Sequence, residues 1–131
     1  MDITTITIYN RSANNTAPDT YLRTVLNGCH VFYEHEAVDG TSKSSAVVRV
    51  MERNMRKPFA VPSLWRTMTA EQRQNYWTAT ESDIIVVGIC DKEISFPSEL
   101  REKKYETISV KGYTDNRRGV DILRHIKIVG A

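Results

Sequence analysis

KYETISVKGYTDNRRGVDILRHIKIVGA, residues 104–131, reads as two strands joined by a polar turn. Ile108 and Val110 alternate with polar neighbours, and a second alternating run covers residues 122–129. Alternation of period two puts one row of side chains on a core face and the other outside. Between the runs, Thr114-Asp115-Asn116-Arg117-Arg118-Gly119 has the residue types that turns demand. Gly119 is expected at positive φ, and Asp115 or Asn116 is expected to accept backbone N–H groups across the turn. Arg117 and Arg118 would then point outward, toward a neighbour's carboxylates or toward DNA. The chain is expected to finish inside its own fold, on this hairpin.

The same alternation recurs upstream. Residues 3–9 (ITTITIY) form a strand, and the polar stretch 10–20 with Pro18 reads as a loop. Residues 21–26 and 29–33 read as two strands separated by an Asn27-Gly28 turn, and residues 37–45 as a further loop. Residues 46–50 (AVVRV) are a central strand, and residues 83–90 (DIIVVGIC), the most apolar run, are the core strand. Pro58 and Pro62 mark an inserted excursion at about 51–80. Thr69 and Gln72 fit a capping box for a short helix to Trp77, and residues 97–103 fit one or two helical turns. The expected fold is mainly β: one domain, residues 1–131, a small barrel or sandwich of six to eight strands with one or two short helical insertions.

The 131 residues suffice for one packed core. No apolar run approaches the roughly 20 residues that span a bilayer, and the amino terminus lacks a signal-peptide pattern. Synthesis in a cytosol and no membrane association are expected. Cys29 and Cys90 form no CxxC motif and read as reduced, buried thiols. Without a signal peptide, the sequons at Asn10 and Asn14 are coincidental.

The net charge of +2 conceals segregation: −3 over residues 1–42, +5 over 43–77, −4 over 78–100 and +4 over 101–131. Opposite charges on different faces would let such a domain stack on copies or on unlike neighbours.

No catalytic constellation emerges. On a strand, His30 and Glu34 share one face while His35 takes the other, so no metal set converges. Cys29 and His30 are adjacent and point apart, and no GxSxG or phosphate-cradling glycine loop is present. Asp91 and Glu93 are ordinary strand-end charges. Neither enzyme activity nor a cofactor is expected. Arg49, Arg53, Arg56 and Lys57, joined by the tip arginines, could instead form a basic surface with Tyr113 and Trp65 for stacking. A single-stranded nucleic-acid-binding barrel is therefore an open alternative.

Five segments in order carry a resemblance: TIYN (7–10), Y-x-RTVL-x-G (21–28), DIIVVG (83–88), TDNRRG (114–119) and RHIKIVG (124–130). Together they resemble a family of small structural proteins of tailed phages and prophages of Gram-positive hosts, similar to head-closure proteins of the virion neck. The resemblance implies a subunit of a six- or twelve-fold ring, made in the bacterial cytoplasm and located in the neck. It would join the portal-adaptor to the tail and contact DNA non-specifically in the channel. A tail-completion or tail-terminator subunit is a second alternative. The middle, residues 51–80, departs most from the family pattern. The implied interface is Asp115, Asn116, Arg117 and Arg118, with Arg49, Arg53, Arg56 and Lys57 facing neighbours or the channel and Gly28 and Gly119 as structural turns.

Overall fold

The computed structural model describes residues 2–14, 17–38, 41–102, 105–120 and 123–131. Six strands, β1 (Asp2–Asn14), β2 (Ala17–Val38), β3 (Thr41–Met51), β4 (Ile84–Val87), β5 (Thr107–Asn116) and β6 (His125–Gly130), close into an antiparallel barrel in the order β1-β2-β3-β6-β5-β4. The fold is mainly β, as the period-two patterning requires. Three short helices, α1 (Pro62–Trp65), α2 (Ala70–Arg73) and α3 (Ser98–Glu102), and a 3-10 turn at Glu52–Asn54 complete it. The expected strand start at Ile122 and helix end at Lys103 lie outside the described residues.

Two expected loops are strands. Residues 10–14 pair with 17–22 up to Asn14↔Ala17, and residues 34–38 pair with 41–45 up to Val38↔Thr41. Backbone pairing overrides the polar composition there. Asn27-Gly28 makes no turn either. β2 runs straight through it, and the pairs Thr4↔Cys29 and Ile6↔Leu26 leave Asn27 and Gly28 opposite Thr5 alone. That is a β-bulge, with Gly28 at φ +66. The conformation calls for glycine, and a Cβ there, 2.4 Å from Asn54 Nδ2, would also displace the Asn54 side chain.

The barrel interior is filled. Ile6, Ile8, Leu26, Val48, Val50, Ile85, Ile108, Val110, Ile126 and Ile128 meet inside. The excursion supplies the plug: Phe59, Trp77 and Ala79 join this core, and Phe59 and Trp77 form a parallel bridge. Phe59 packs edge-on to Trp77 at 4.8 Å between ring centroids and tilted on Tyr113 at 5.4 Å. The capping box at Thr69 is formed in both directions, but the helix it starts ends at Arg73 rather than near Trp77.

β4 is continuously apolar because both of its faces are covered. Ile85 points into the barrel, whereas Ile84 and Val86 join Tyr9, Cys90, Ile94 and Leu100 in a second cluster outside it. The strand is shorter than the expected 83–90, for Gly88 turns away at φ +115. Thr7 holds that turn, its hydroxyl donating to Gly88 O (2.8 Å) and accepting from Cys90 N–H (3.0 Å). Both cysteines are free and buried, and burial pushes the Cys29 thiol up to about 12.

A polar node ties the excursion to β1. Asn10 Nδ2 donates to Thr78 O (2.6 Å) and to Asp83 Oδ2 (2.9 Å), and Thr78 N–H donates back to Asn10 Oδ1 (3.2 Å). Asp83 also accepts the backbone N–H groups of Arg11 (2.9 Å) and Thr80 (2.8 Å). Burial pushes the Asp83 carboxyl above its ordinary range, with these hydrogen bonds opposing the shift.

Register fixes what projects where. β2 starts at one end of the barrel and finishes at the other, so its two hairpins lie at opposite ends. At about 3.3 Å per residue, its 22 residues extend roughly 70 Å, several times the length of the six-residue β6. The β1–β2 pairing continues past Tyr9↔Ile84, where β4 stops. The β2–β3 pairing continues past Ala46↔Gly130, where β6 stops. Both hairpins therefore leave the barrel as two-stranded arms. The connection from β5 to β6 lies at the β1–β2 end, together with the plug.

Candidate functional site

The β5–β6 connection is wider than TDNRRG alone. Asp115↔Ile126 and Asn116↔His125 are paired, so the strands run through the expected turn and the connection spans 117–124. Asp115 organises it. Its Oδ1 accepts the Arg117 backbone N–H (3.1 Å) and Nε–H (2.9 Å), and its Oδ2 accepts Arg117 Nη2 (2.8 Å). The hydrogen bonds from the Arg117 side chain hold the Asp115 carboxyl below its ordinary range and raise the guanidinium in turn. The expected capture of a backbone N–H by Asp115 is present, and Gly119 sits at φ +105.

Arg117 folds back instead of pointing outward. Beyond Asp115, its Nε lies 3.9 Å from Glu52, and its Cζ lies 5.4 Å from the centroid of Phe59, the barrel plug. This is a cation–π contact. Arg124 donates to Gly119 O (3.2 Å) and lies 3.7 Å from Glu52, whose N–H donates to Arg124 O (2.9 Å). Glu52, at the end of β3, thus ties the tip to the barrel rim. Asn116 Nδ2 lies 3.2 Å from His125 Nε2, and His125 Nδ1 lies 2.8 Å from Leu123 O. Both contacts are satisfied if His125 carries its proton on Nδ1.

Asp115, Asn116, Arg117, Arg118 and Glu52 line one open cleft of about 570 Å³. The four residues expected to form an interface therefore share one surface. Arg118 is exposed, and so are Val120 (66%) and Leu123 (65%) in the same connection. Exposed apolar side chains beside a basic one have the composition of an interface patch. Leu123 was not legible as a surface residue because it falls in the alternating run 122–129, and Val120 because it falls between that run and the expected turn. Glu52 was missed because it stands 63 positions before Asp115.

The other expected contacts do not cluster. Arg49 stands on the barrel wall opposite His30 and Lys127, half-buried, with its guanidinium 5.3 Å from the Phe32 ring. Arg53 and Arg56 are exposed after β3. Lys57 lines a different groove with Tyr9, Tyr21, Arg23, Gln74 and Glu93. Gly28 serves the bulge described above.

No helix among the described residues is long and apolar enough to cross a membrane. A family model described as a family of unknown function (DUF6751) matches residues 1–131, and the chain belongs to that family. No curated protein matches the chain, and no solved structure matches it.

Proposed function

We propose that this chain is a structural subunit of a tailed-phage virion neck, a head-closure or head–tail connector ring protein between the portal-adaptor and the tail. The observation that supports it most directly is the pair of two-stranded arms leaving opposite ends of one filled barrel. A ring subunit must grip a neighbour above and another below. Arms at both ends of a rigid core meet that need. Its interfaces around the ring are heterologous, one surface meeting a different one on the next copy. The cleft at 115–118, with Arg118, Val120 and Leu123 beside it, supplies such a surface. The order of sequence motifs points the same way.

Disruption of the gene in the phage or prophage that carries it tests the reading. Filled heads and separate tails should accumulate, and supplied protein should restore joining. Normal yields of infectious particles would end the neck reading. A tail-terminator role would instead leave tails of aberrant length. The basic side chains keep a second reading alive, a single-stranded nucleic-acid-binding module. That reading requires affinity for single strands with a steep salt slope.

A further inference from the structure

The outer wall of the barrel carries a like-charge pair. Val48, Val50, Ile126 and Ile128 fill the interior, so Arg49 on β3 and Lys127 on β6, which alternate with them, face outward. The two are directly opposed in the register. Side chains so placed have Cβ atoms about 4.5–5.5 Å apart, and like charges there destabilise the pair. Neither residue forms an ion pair with a carboxylate among the described residues. His30 and Thr114 flank them in the same row, and the rows on either side hold Met51 with His125 and Val47 with Val129. None of these is acidic. The Arg49 guanidinium lies over the Phe32 ring at 5.3 Å, and its buried Nε has no hydrogen-bond partner among the described residues.

Charge of the opposite sign lies across the barrel. In the closed order β1-β2-β3-β6-β5-β4, β1 is three places from β6 and β4 is three places from β3. Outside β1 and β4 the chain adds a layer, in which Cys90, Ile94 and Leu100 pack on Tyr9, Ile84 and Val86. Residues 89–100 carry Asp91, Glu93 and Glu99 against the single Lys92, net −2. Glu99 already accepts the N–H groups of Ser95 (2.6 Å) and Phe96 (2.9 Å), whereas Asp91 and Glu93 are exposed. Arg23 and Lys57 share a groove with Glu93, and Asp91 is not part of its lining. Ile89 is 73% exposed and Phe96 68%. Large apolar side chains bared in one layer mark a surface that a partner covers.

We propose that these two faces dock on each other between copies, the β3–β6 wall of one chain against the 89–100 layer of the next. The occupant is a second copy because each chain that presents the cationic wall also presents its anionic complement on the far side. Such a contact is heterologous and repeats from copy to copy, and complementary potentials fix its register. It is a lateral contact of the kind a ring uses, yet it is a property of the purified chain and stands apart from the neck reading.

Sedimentation velocity of the purified chain at low ionic strength, up to about 1 mM, tests it. Reversible association that weakens with salt is expected. Lys127→Glu, and separately the double variant Asp91→Lys with Glu93→Lys, should each weaken association about ten-fold or more, because like charges then meet. An equimolar mixture of the two should recover it, since the first keeps the anionic layer and the second keeps the cationic wall. Melting temperatures near that of the wild type verify folding. Lys127→Gln, which removes the charge without inverting it, carries the same test where Lys127→Glu unfolds. A wild type that stays monomeric overturns the proposal, as do variants that associate like the wild type or a mixture that recovers nothing. Binding of a short deoxythymidine oligomer that Lys127→Glu abolishes, in a chain that does not self-associate, overturns it in favour of nucleic acid. Each of these failures leaves the neck reading to be decided by particle yields.

Discussion

Asp83→Ala tests the claim that a buried polar node fastens the excursion to the barrel. Asp83 accepts from Arg11 N–H, Thr80 N–H and Asn10 Nδ2. Asn10 Nδ2 keeps a second acceptor, Thr78 O at 2.6 Å. The substitution therefore orphans two backbone donors outright. At about 1–3 kcal/mol for each unsatisfied donor, the loss is about 2–6 kcal/mol. Removing a carboxylate that is costly to bury returns part of it, which leaves about 2–4 kcal/mol. Asp83→Asn keeps one oxygen and should fall between wild type and alanine. The assay is urea unfolding at neutral pH, read as a shift in midpoint at unchanged slope. A loss below about 1 kcal/mol for Asp83→Ala would refute the assignment of the node as a fastening. A second readout follows from the raised carboxyl. The folded protein holds this proton more tightly than the unfolded chain. Its stabilising contribution is thus complete below the ordinary value of 3.8 and is lost as pH rises through the higher folded value. Asp83→Asn removes that downward term. Its stability should therefore rise more steeply with pH than the wild type's across the acidic range.

Gly28→Ala should cost about 2 kcal/mol or more by chemical denaturation, because a Cβ there meets Asn54 Nδ2 at 2.4 Å and φ is +66. Adding Asn54→Ala should return the steric part and leave the conformational part. Gly119→Val should cost about 1 kcal/mol or more from backbone strain alone, since nothing lies within 4 Å of a Cβ at that position. Arg118→Ala should leave the melting temperature unchanged, while Arg117→Ala, which loses Asp115 and the Phe59 face, should cost about 1 kcal/mol. On the neck reading, Arg118→Ala should still lower the yield of joined particles. Cys29 and Cys90 should resist a thiol reagent at mildly alkaline pH until denaturant is added, because both are buried. Rapid native labelling of either would contradict their placement.

Local signals were legible where the chemistry is local. The capping box at Thr69 and Gln72, the turn glycine at 119 and the Asp115 bond to a nearby backbone N–H all involve residues within four positions of one another. The two hairpin arms were not legible. Their residues are polar because no second layer is needed to hold a paired ribbon, and polarity reads as loop. Asn27-Gly28 read as a turn because a bulge and a hairpin draw on the same freedom of glycine at positive φ. The choice between them depends on whether β1 continues alongside.

By itself, the sequence determined that the chain is mainly β, that two paired strands lie within its last 28 residues, that a core strand lies within residues 83–90 and that the cysteines are buried. Each rests on the periodicity or polarity of a short window. Only the tertiary structure decided that the sheet closes, that Phe59 and Trp77 plug the barrel, and that Arg117 turns inward to Phe59 and Glu52. Those pairings join residues tens of positions apart. Charge and hydrophobicity say that such groups need partners, but which partner each meets is set by strand order and register, and those follow from the packing of the whole core.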